Sequence, residues 1–118
     1  MAYVDGFLLI VPADRIDDYR KLARKAGKIW REYGALEYCE CVGDDLDVPY
    51  GRTFPKLLKL KPGETAVLSW IVYRSKAQRD RVNMQVMQDK RLAGMDPKTM
   101  PFDMKRMSMG GFTVLVNA

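Results

Sequence analysis

Residues 65–73, TAVLSWIVY, decide the fold class of this 118-residue chain. The run is apolar, rich in β-branched and aromatic side chains, and short for a helix, so it predicts a buried strand. Because both alternating faces of this strand are hydrophobic, it is expected at the centre of a sheet. Residues 3–11, YVDGFLLIV, have the same character and end before Pro12. The sequence therefore predicts two central strands.

Two helices are predicted between these strands and after them. Apolar residues recur at spacings of three and four over residues 14–33, with Asp14 as the N-cap and Gly34 as the left-handed stop. A second helix is predicted over residues 75–90, and Ser75 opens it with a capping-box pattern. Each helix follows one of the central strands.

Two shorter strands and a long connection complete the pattern. Residues 36–42 and 107–116 have strand-like composition, and the second of these runs is interrupted by paired glycines. Residues 44–64 contain several prolines and glycines around apolar positions, which predicts a loop with a partly regular middle. The order β, α, β, β, α, β indicates a ferredoxin-like α+β fold, with a four-stranded antiparallel sheet and both helices on one face.

In such a fold the second face of the sheet has no cover from its own chain. That face is apolar here, and a monomer would expose it as a large hydrophobic patch. We therefore predict one domain over residues 1–118 that forms a homodimer, in which two sheets pack face to face as a dimeric α+β barrel.

Composition excludes several classes of site. The chain has no histidine, so it has no Ser/His/Asp triad and no histidine-ligated zinc or haem. We predict no metal, because a chain without histidine supplies too few ligands, and no cofactor, because it has no phosphate-cradling glycine loop or dinucleotide motif. Cys39 and Cys41 lie two apart in a predicted strand and are expected to be reduced core residues. Residues 1–14 resemble a strand more than a signal peptide, and no apolar run approaches the roughly 18 residues that span a bilayer, so we predict a cytoplasmic protein without membrane contact.

Short motifs run along nearly the whole chain: YVDGF over residues 3–7, MPFD over 100–103, KRM over 105–107 and GGF over 110–112. Together they resemble the YbaA-like family. This resemblance implies the fold and dimer of the dimeric α+β barrel superfamily but names no reaction. Cofactor-free monooxygenases, isomerases, decarboxylating lyases and haem enzymes are among the relatives in that superfamily, by analogy of fold. The absence of histidine disfavours the haem branch.

Asp5 is the first candidate catalytic residue, since a carboxylate in a central strand needs a partner. The predicted pairing places Tyr73 and Arg74 beside it and Trp70 nearby. Asp5 is therefore either a structural ion pair or backbone anchor, or a general base or ligand anchor in the barrel.

Glu40 is the second candidate catalytic residue. It shares a strand face with Tyr38 and projects either into the helix layer or into the barrel cavity. In the cavity, beside Tyr38 and Trp70, it would combine an acid or base with aromatic walls that suit proton transfer on a small substrate.

A third group of candidates precedes the last strand. Asp103 and Arg106 lie just ahead of Gly110 and Gly111, a pair that permits close approach of a ligand, a partner strand or an aromatic ring. Arg106 is placed either on an anionic substrate group or in an intersubunit salt bridge with an aspartate. Arg79 is expected at the helix surface or in dimer contacts.

These features favour a small-molecule-binding protein or a cofactor-independent enzyme of proton transfer or oxidation, with its pocket in the dimeric barrel. Tyr38, Trp70, Tyr73, Asp103 and Arg106 are the predicted substrate-binding residues. The alternative is a structural or regulatory dimer without ligand. Nucleic-acid binding is disfavoured, although the net charge is +5, because cations and acids alternate along the first helix.

Overall fold

A computed structural model, which describes residues 2–93 and 95–118, contains both predicted central strands. β1 (Tyr3–Pro12) and β3 (Glu64–Tyr73) pair antiparallel along their whole lengths. Their hydrophobic character on both faces is what a strand with neighbours on either side requires. The prediction of two central strands is confirmed.

The other two strands form the edges of the sheet. β2 (Glu37–Val42) pairs with β3, and β4 (Ser108–Thr113) pairs with β1, both antiparallel. The strand order is β2-β3-β1-β4. This confirms the ferredoxin-like α+β class, although the last strand ends at Thr113 and does not reach Val116.

The helices are α1 (Ile16–Glu32), α2 (Phe54–Leu58), α3 (Lys76–Met87) and α4 (Lys90–Ala93). The two long helices, α1 and α3, pack on one face of the sheet, where alternate residues of β1 and β3 point toward them. The buried side chains of this layer are Leu9, Val11, Tyr19, Ala23, Ile29, Ala35, Val67, Ile71, Tyr73, Val82 and Val86. The short α2 is the regular middle predicted for the long connection.

The helix ends follow the predicted signals in part. Ser75 Oγ accepts a hydrogen bond from the backbone N–H of Gln78 at 3.1 Å, as a cap of α3 should. Gly34 follows α1 with φ +116°, the left-handed conformation expected of the stop. The prediction for Asp14 is wrong, because Asp14 lies within a 3₁₀ turn and α1 begins without a side-chain cap.

The second face of the sheet is covered at one end only. Ile10 and Ala66 point to this face by strand alternation and are nevertheless buried, and α2 contacts β3. Leu68 and Phe112, on the same face, remain 43% and 62% exposed. The chain therefore covers part of this face itself, contrary to expectation, and leaves an apolar surface on the rest.

No helix within residues 2–93 and 95–118 is long and apolar enough to cross a membrane. The cytoplasmic location stays a prediction from the sequence.

Candidate functional site

Glu40 points toward the helices. In the β2–β3 pairing, Tyr38 lies opposite Ile71 and Glu40 lies opposite Ser69. Ile71 and Ser69 are buried beneath the helix layer. Because residues opposite one another in a ladder share a face, the Tyr38 and Glu40 side chains lie between β2 and α1. Of the two orientations that the sequence left open for Glu40, the structure has the one in the helix layer.

Two phenols hold the Glu40 carboxylate. Tyr19, on α1, donates its hydroxyl to Glu40 Oε1 at 2.7 Å, and Tyr38 donates to Oε2 at 2.7 Å. Burial raises the pKa of both tyrosines well above their ordinary range, and the charge of Glu40 raises it further. Both phenols therefore stay protonated and donate, while each carboxylate oxygen keeps capacity to accept another hydrogen.

This triad of Tyr19, Tyr38 and Glu40 forms part of the wall of a cleft of about 860 Å³ between α1 and the edge strand β2. The cleft has an apolar wall and a polar rim, and its lining residues are Ile16, Tyr19, Arg20, Ala23, Arg24, Gly27, Lys28, Arg31, Glu32, Glu37, Tyr38, Glu40, Cys41, Val42 and Val67. A concave apolar site with a few convergent polar groups is the usual form of a small-molecule site.

Gly27 makes the inner wall of the cleft possible. A Cβ at this position would lie 2.7 Å from Cδ1 of Tyr38, which is closer than real Cβ contacts come. The glycine thus lets the Tyr38 ring lie against α1, with the Trp30 ring centroid 6.1 Å away. A glycine inside a helix costs about 1 kcal/mol relative to alanine, and that anomaly is the sequence signal for this packing.

Four cations of α1 lie along the rim of the cleft. Arg20 forms an ion pair with Asp17, and Arg31 donates to the backbone carbonyl of Leu36. The other two, Arg24 and Lys28, lie between Arg20 and Arg31 along the helix. Glu32 of the same helix also lines the cleft, so this edge carries an acid as well as the four cations.

Asp5 lies in a separate polar cluster, buried between the sheet and α3. Its Oδ1 is 3.3 Å from Arg79 Nε, and Asn83 Nδ2 donates to its Oδ2 at 3.4 Å. Tyr73 donates to Asn83 Oδ1 at 3.1 Å, and burial together with the Asp5 charge raises the Tyr73 pKa. Tyr73 is thus the neighbour expected for Asp5. The prediction that Arg74 lies beside Asp5 is wrong, because α3 turns back over the sheet and brings Arg79 next to this carboxylate.

Arg79 is engaged on several sides. Its guanidinium carbon lies 4.9 Å from the centroid of the Tyr3 ring. Arg79 Nη1 forms an ion pair with Asp80 Oδ1 at 3.2 Å, and Nη2 donates to the Tyr3 hydroxyl at 2.9 Å. Arg79 is thus partly buried within its own chain, so the expected helix-surface position is wrong, while the alternative, a contact in the dimer, stays a prediction. Gly111 accommodates this arrangement, since a Cβ there would collide with Tyr3 and Arg79. The close approach predicted for the glycine pair is to a packed aromatic ring.

Trp70 lies on the opposite face of the sheet from Glu40. It pairs with Cys39 across β2 and β3, and its Nε1 donates to Glu37 Oε1 at 3.2 Å. The predicted grouping of Trp70 with Tyr38 and Glu40 in one cavity is wrong. Trp70 lies opposite Cys39, between the residues opposite Tyr38 and Glu40, so its side chain points to the other face of the sheet.

Arg106 and Asp103 also lie away from the cleft. Arg106 binds Glu64 through both terminal nitrogens, at 2.5 and 2.9 Å, and these hydrogen bonds hold the Glu64 pKa down at about 2. Asp103 Oδ1 accepts from the backbone N–H of Lys105 at 2.9 Å. The partner of Arg106 is thus a glutamate of the same chain, and neither an anionic substrate group nor an aspartate of a second subunit, the two partners that the sequence predicts.

Cys39 and Cys41 project from β2 toward the second face, with their sulfur atoms unbonded and 3.9 Å apart. Within the described part of the chain, no three Cys, Asp or Glu side chains come together in a way that could hold a metal ion.

Sequence and structure comparisons agree on the relatives of this chain. A family model described as "Protein of unknown function (DUF1428)" matches residues 2–104. "Uncharacterized protein YbaA" of Escherichia coli K12 is 44% identical over 119 residues, covering 99% of each chain. The YbaA protein of Shigella flexneri has the same identity and coverage. The YbaA-like resemblance of the motifs is confirmed.

Solved structures share the fold at low identity. A dimeric ferredoxin-like protein from an uncultured marine organism superposes with a TM-score of 0.62 at 11% identity and covers 100% of both chains. An uncharacterized NIPSNAP domain protein from Burkholderia xenovorans gives 0.58 at 12% identity, covering 98% of this chain and 97% of its own.

Proposed function

This chain belongs to the DUF1428 family, whose description names no function, and we propose its role from the cleft itself: the protein binds a small organic molecule between α1 and β2, and Glu40 accepts a proton from it. The observation that carries the proposal is the Glu40 carboxylate in the wall of the cleft, oriented by the hydroxyls of Tyr19 and Tyr38 at 2.7 Å each. Such fixed orientation suits a general base.

The proposed step is a simple proton transfer. A C–H or O–H bond of the ligand breaks, its electron pair stays on the ligand as an enolate or phenolate, and the proton moves to a Glu40 oxygen. Tyr19 and Tyr38 stay protonated throughout, because burial raises their pKa far above neutral pH. Their role is to position the carboxylate and to donate hydrogen bonds to it.

The binding half of the proposal is tested by NMR with defined probes. Benzoate, salicylate, phenol and acetoacetate, each at millimolar concentration, are added to ¹⁵N-labelled protein. At least one probe is expected to shift amide signals in residues 16–28 and 37–42. The proposal is wrong if no probe shifts these signals, or if the shifts occur only on the second face of the sheet around Leu68 and Trp70.

The proton-transfer half is tested with Glu40→Gln, which keeps the shape of the side chain and removes its basicity. Acetoacetate in D₂O reports C–H exchange at its methylene group, after correction for the rate in buffer. We expect the enzyme-dependent exchange to fall about a hundredfold in the variant, the usual contribution of a general base. Asp47→Asn, in the exposed loop after β2, is the charge-matched control. Equal exchange by wild type and Glu40→Gln would leave a binding protein without this chemistry.

A homodimer is the second part of the proposal. The exposed apolar side chains Leu68 and Phe112 on the second face support it, and the structural relative with a TM-score of 0.62 is described as dimeric. Two copies packed through this face would cover Leu68 and Phe112. Native mass spectrometry is expected to give twice the chain mass, and Leu68→Asp is expected to give the monomer. A wild-type monomer would refute this part while leaving the cleft proposal intact.

The remaining alternatives are distinguished by these tests and by one further measurement. A dimer that binds none of the probes would support the structural or regulatory role. Retention on a nucleic-acid column that falls steeply with salt would favour nucleic-acid binding.

A further inference from the structure

We propose that the ligand of this cleft is a small organic acid whose anionic oxygen group binds Arg24 and Lys28. This inference rests on the proposed function and adds the class of ligand. Its basis is the difference between the charged groups of the cleft that have partners within the protein and those that have none.

Two of the four rim cations are already engaged. Arg20 is paired with Asp17, and Arg31 donates to the carbonyl of Leu36. Arg24 and Lys28 are exposed and form no ion pair or side-chain hydrogen bond with any residue in the ranges 2–93 and 95–118. They are four residues apart on α1, so they lie one turn apart on the same edge of the cleft.

The acids that line the cleft also accept hydrogen bonds from side chains of the protein. Glu32 accepts from Arg91 at 2.8 Å, Glu37 accepts from Trp70 at 3.2 Å, and Glu40 accepts from both tyrosines. No acid that lines the cleft forms an ion pair with Arg24 or Lys28, although the hydrogen bond from Arg91 and, after it, the charge of Lys28 lower the pKa of Glu32. Glu37 and Glu40 accept from neutral side chains and keep their negative charge, so the positive charge that favours an anionic group is confined to the part of the rim around Arg24 and Lys28.

The same charges predict the orientation of the ligand. An anionic group beside the Glu40 carboxylate would be repelled, whereas one beside Arg24 and Lys28 is attracted. The acid group therefore lies at the rim, and the neutral end that carries the transferable hydrogen points to Glu40. The apolar wall formed by Ile16, Ala23 and Val67 lies between these two polar ends.

The test compares acids with neutral amides of the same shape. Benzoate against benzamide and salicylate against salicylamide are titrated by NMR into the wild type and into Arg24→Met, Lys28→Met and Lys25→Met. Lys25 is an exposed lysine of α1 that does not line the cleft, so its variant makes the same change in net charge. Added salt provides a second readout, because exposed charges are screened by it.

We expect each acid to bind about tenfold more tightly than its amide, as one charge-assisted contact contributes roughly that factor. Arg24→Met and Lys28→Met should each remove most of this preference, and Lys25→Met should change it less than about twofold. Amides that bind as well as acids, in a cleft still perturbed at residues 16–28, would overturn the inference and leave the proposed function standing.

Two other results would also overturn it. If Lys25→Met weakens acid binding as much as Lys28→Met, the preference comes from net charge and not from this pair. If neither acids nor amides shift the cleft signals, the proposed function fails together with the inference.

Discussion

Replacing Gly27 by alanine has two opposite effects on the free energy of unfolding. Alanine in place of glycine inside a helix is worth about 1 kcal/mol of added stability. The new Cβ, however, would lie 2.7 Å from Cδ1 and 2.9 Å from Cε1 of Tyr38, a ring that its hydrogen bond to Glu40 holds in place. Overpacking of this kind costs about 1–3 kcal/mol, and a displaced Tyr38 loses a hydrogen bond worth about 1 kcal/mol. We expect Gly27→Ala to destabilise the protein by about 1–3 kcal/mol.

The sign of the effect should reverse when Tyr38 is removed. In a Tyr38→Ala background the same Gly27→Ala change meets no ring, so it should stabilise the protein by about 1 kcal/mol. The coupling between the two positions is therefore about 2–4 kcal/mol, well above the error of additivity. Urea unfolding of the four proteins measures it, with unchanged m-values as the control for two-state behaviour. A Gly27→Ala variant that is more stable than the wild type would refute the packing described for this wall of the cleft.

Three further predictions concern residues outside the cleft. Arg79→Met should cost about 2–3 kcal/mol in urea unfolding, because it leaves the buried Asp5 carboxylate without a cation, and the loss should shrink when Asp5→Asn is also present. The folded-state pKa of Glu64 is lowered to about 2, so its contribution to stability is complete above its ordinary pKa of 4.5 and is lost as pH falls from about 5 toward 2. Arg106→Met should flatten the dependence of the unfolding free energy on pH over this range, and a profile parallel to that of the wild type would contradict the pairing. Ser75→Ala should cost about 1 kcal/mol through loss of the α3 cap, measurable as a lower urea midpoint.

The sequence alone determined the class and order of the main elements. Residues 3–11 and 65–73 are apolar on both faces, and only a central strand buries both faces, so their place in the sheet followed from composition. Gly34 and Ser75 marked helix ends because their local chemistry satisfies backbone groups there. These signals are local, and each acts within a few residues.

The site depended on relations that the tertiary structure alone decides. The period of two in a strand puts Tyr38 and Glu40 on one face, but which face the helices cover depends on how α1 packs against the sheet. Tyr19 therefore became a partner of Glu40 only once that helix was in place.

The ion pairs have the same origin. Arg74 is near Asp5 in the predicted pairing, yet the turn after β3 lets α3 cross the sheet and place Arg79 above that carboxylate. Arg106 and Glu64 are 42 residues apart in the sequence, and no local sequence pattern predicts their contact. Contacts between distant segments are fixed by the summed packing of the core, and for that reason the fold was accessible from the sequence while the arrangement of the cleft required the structure.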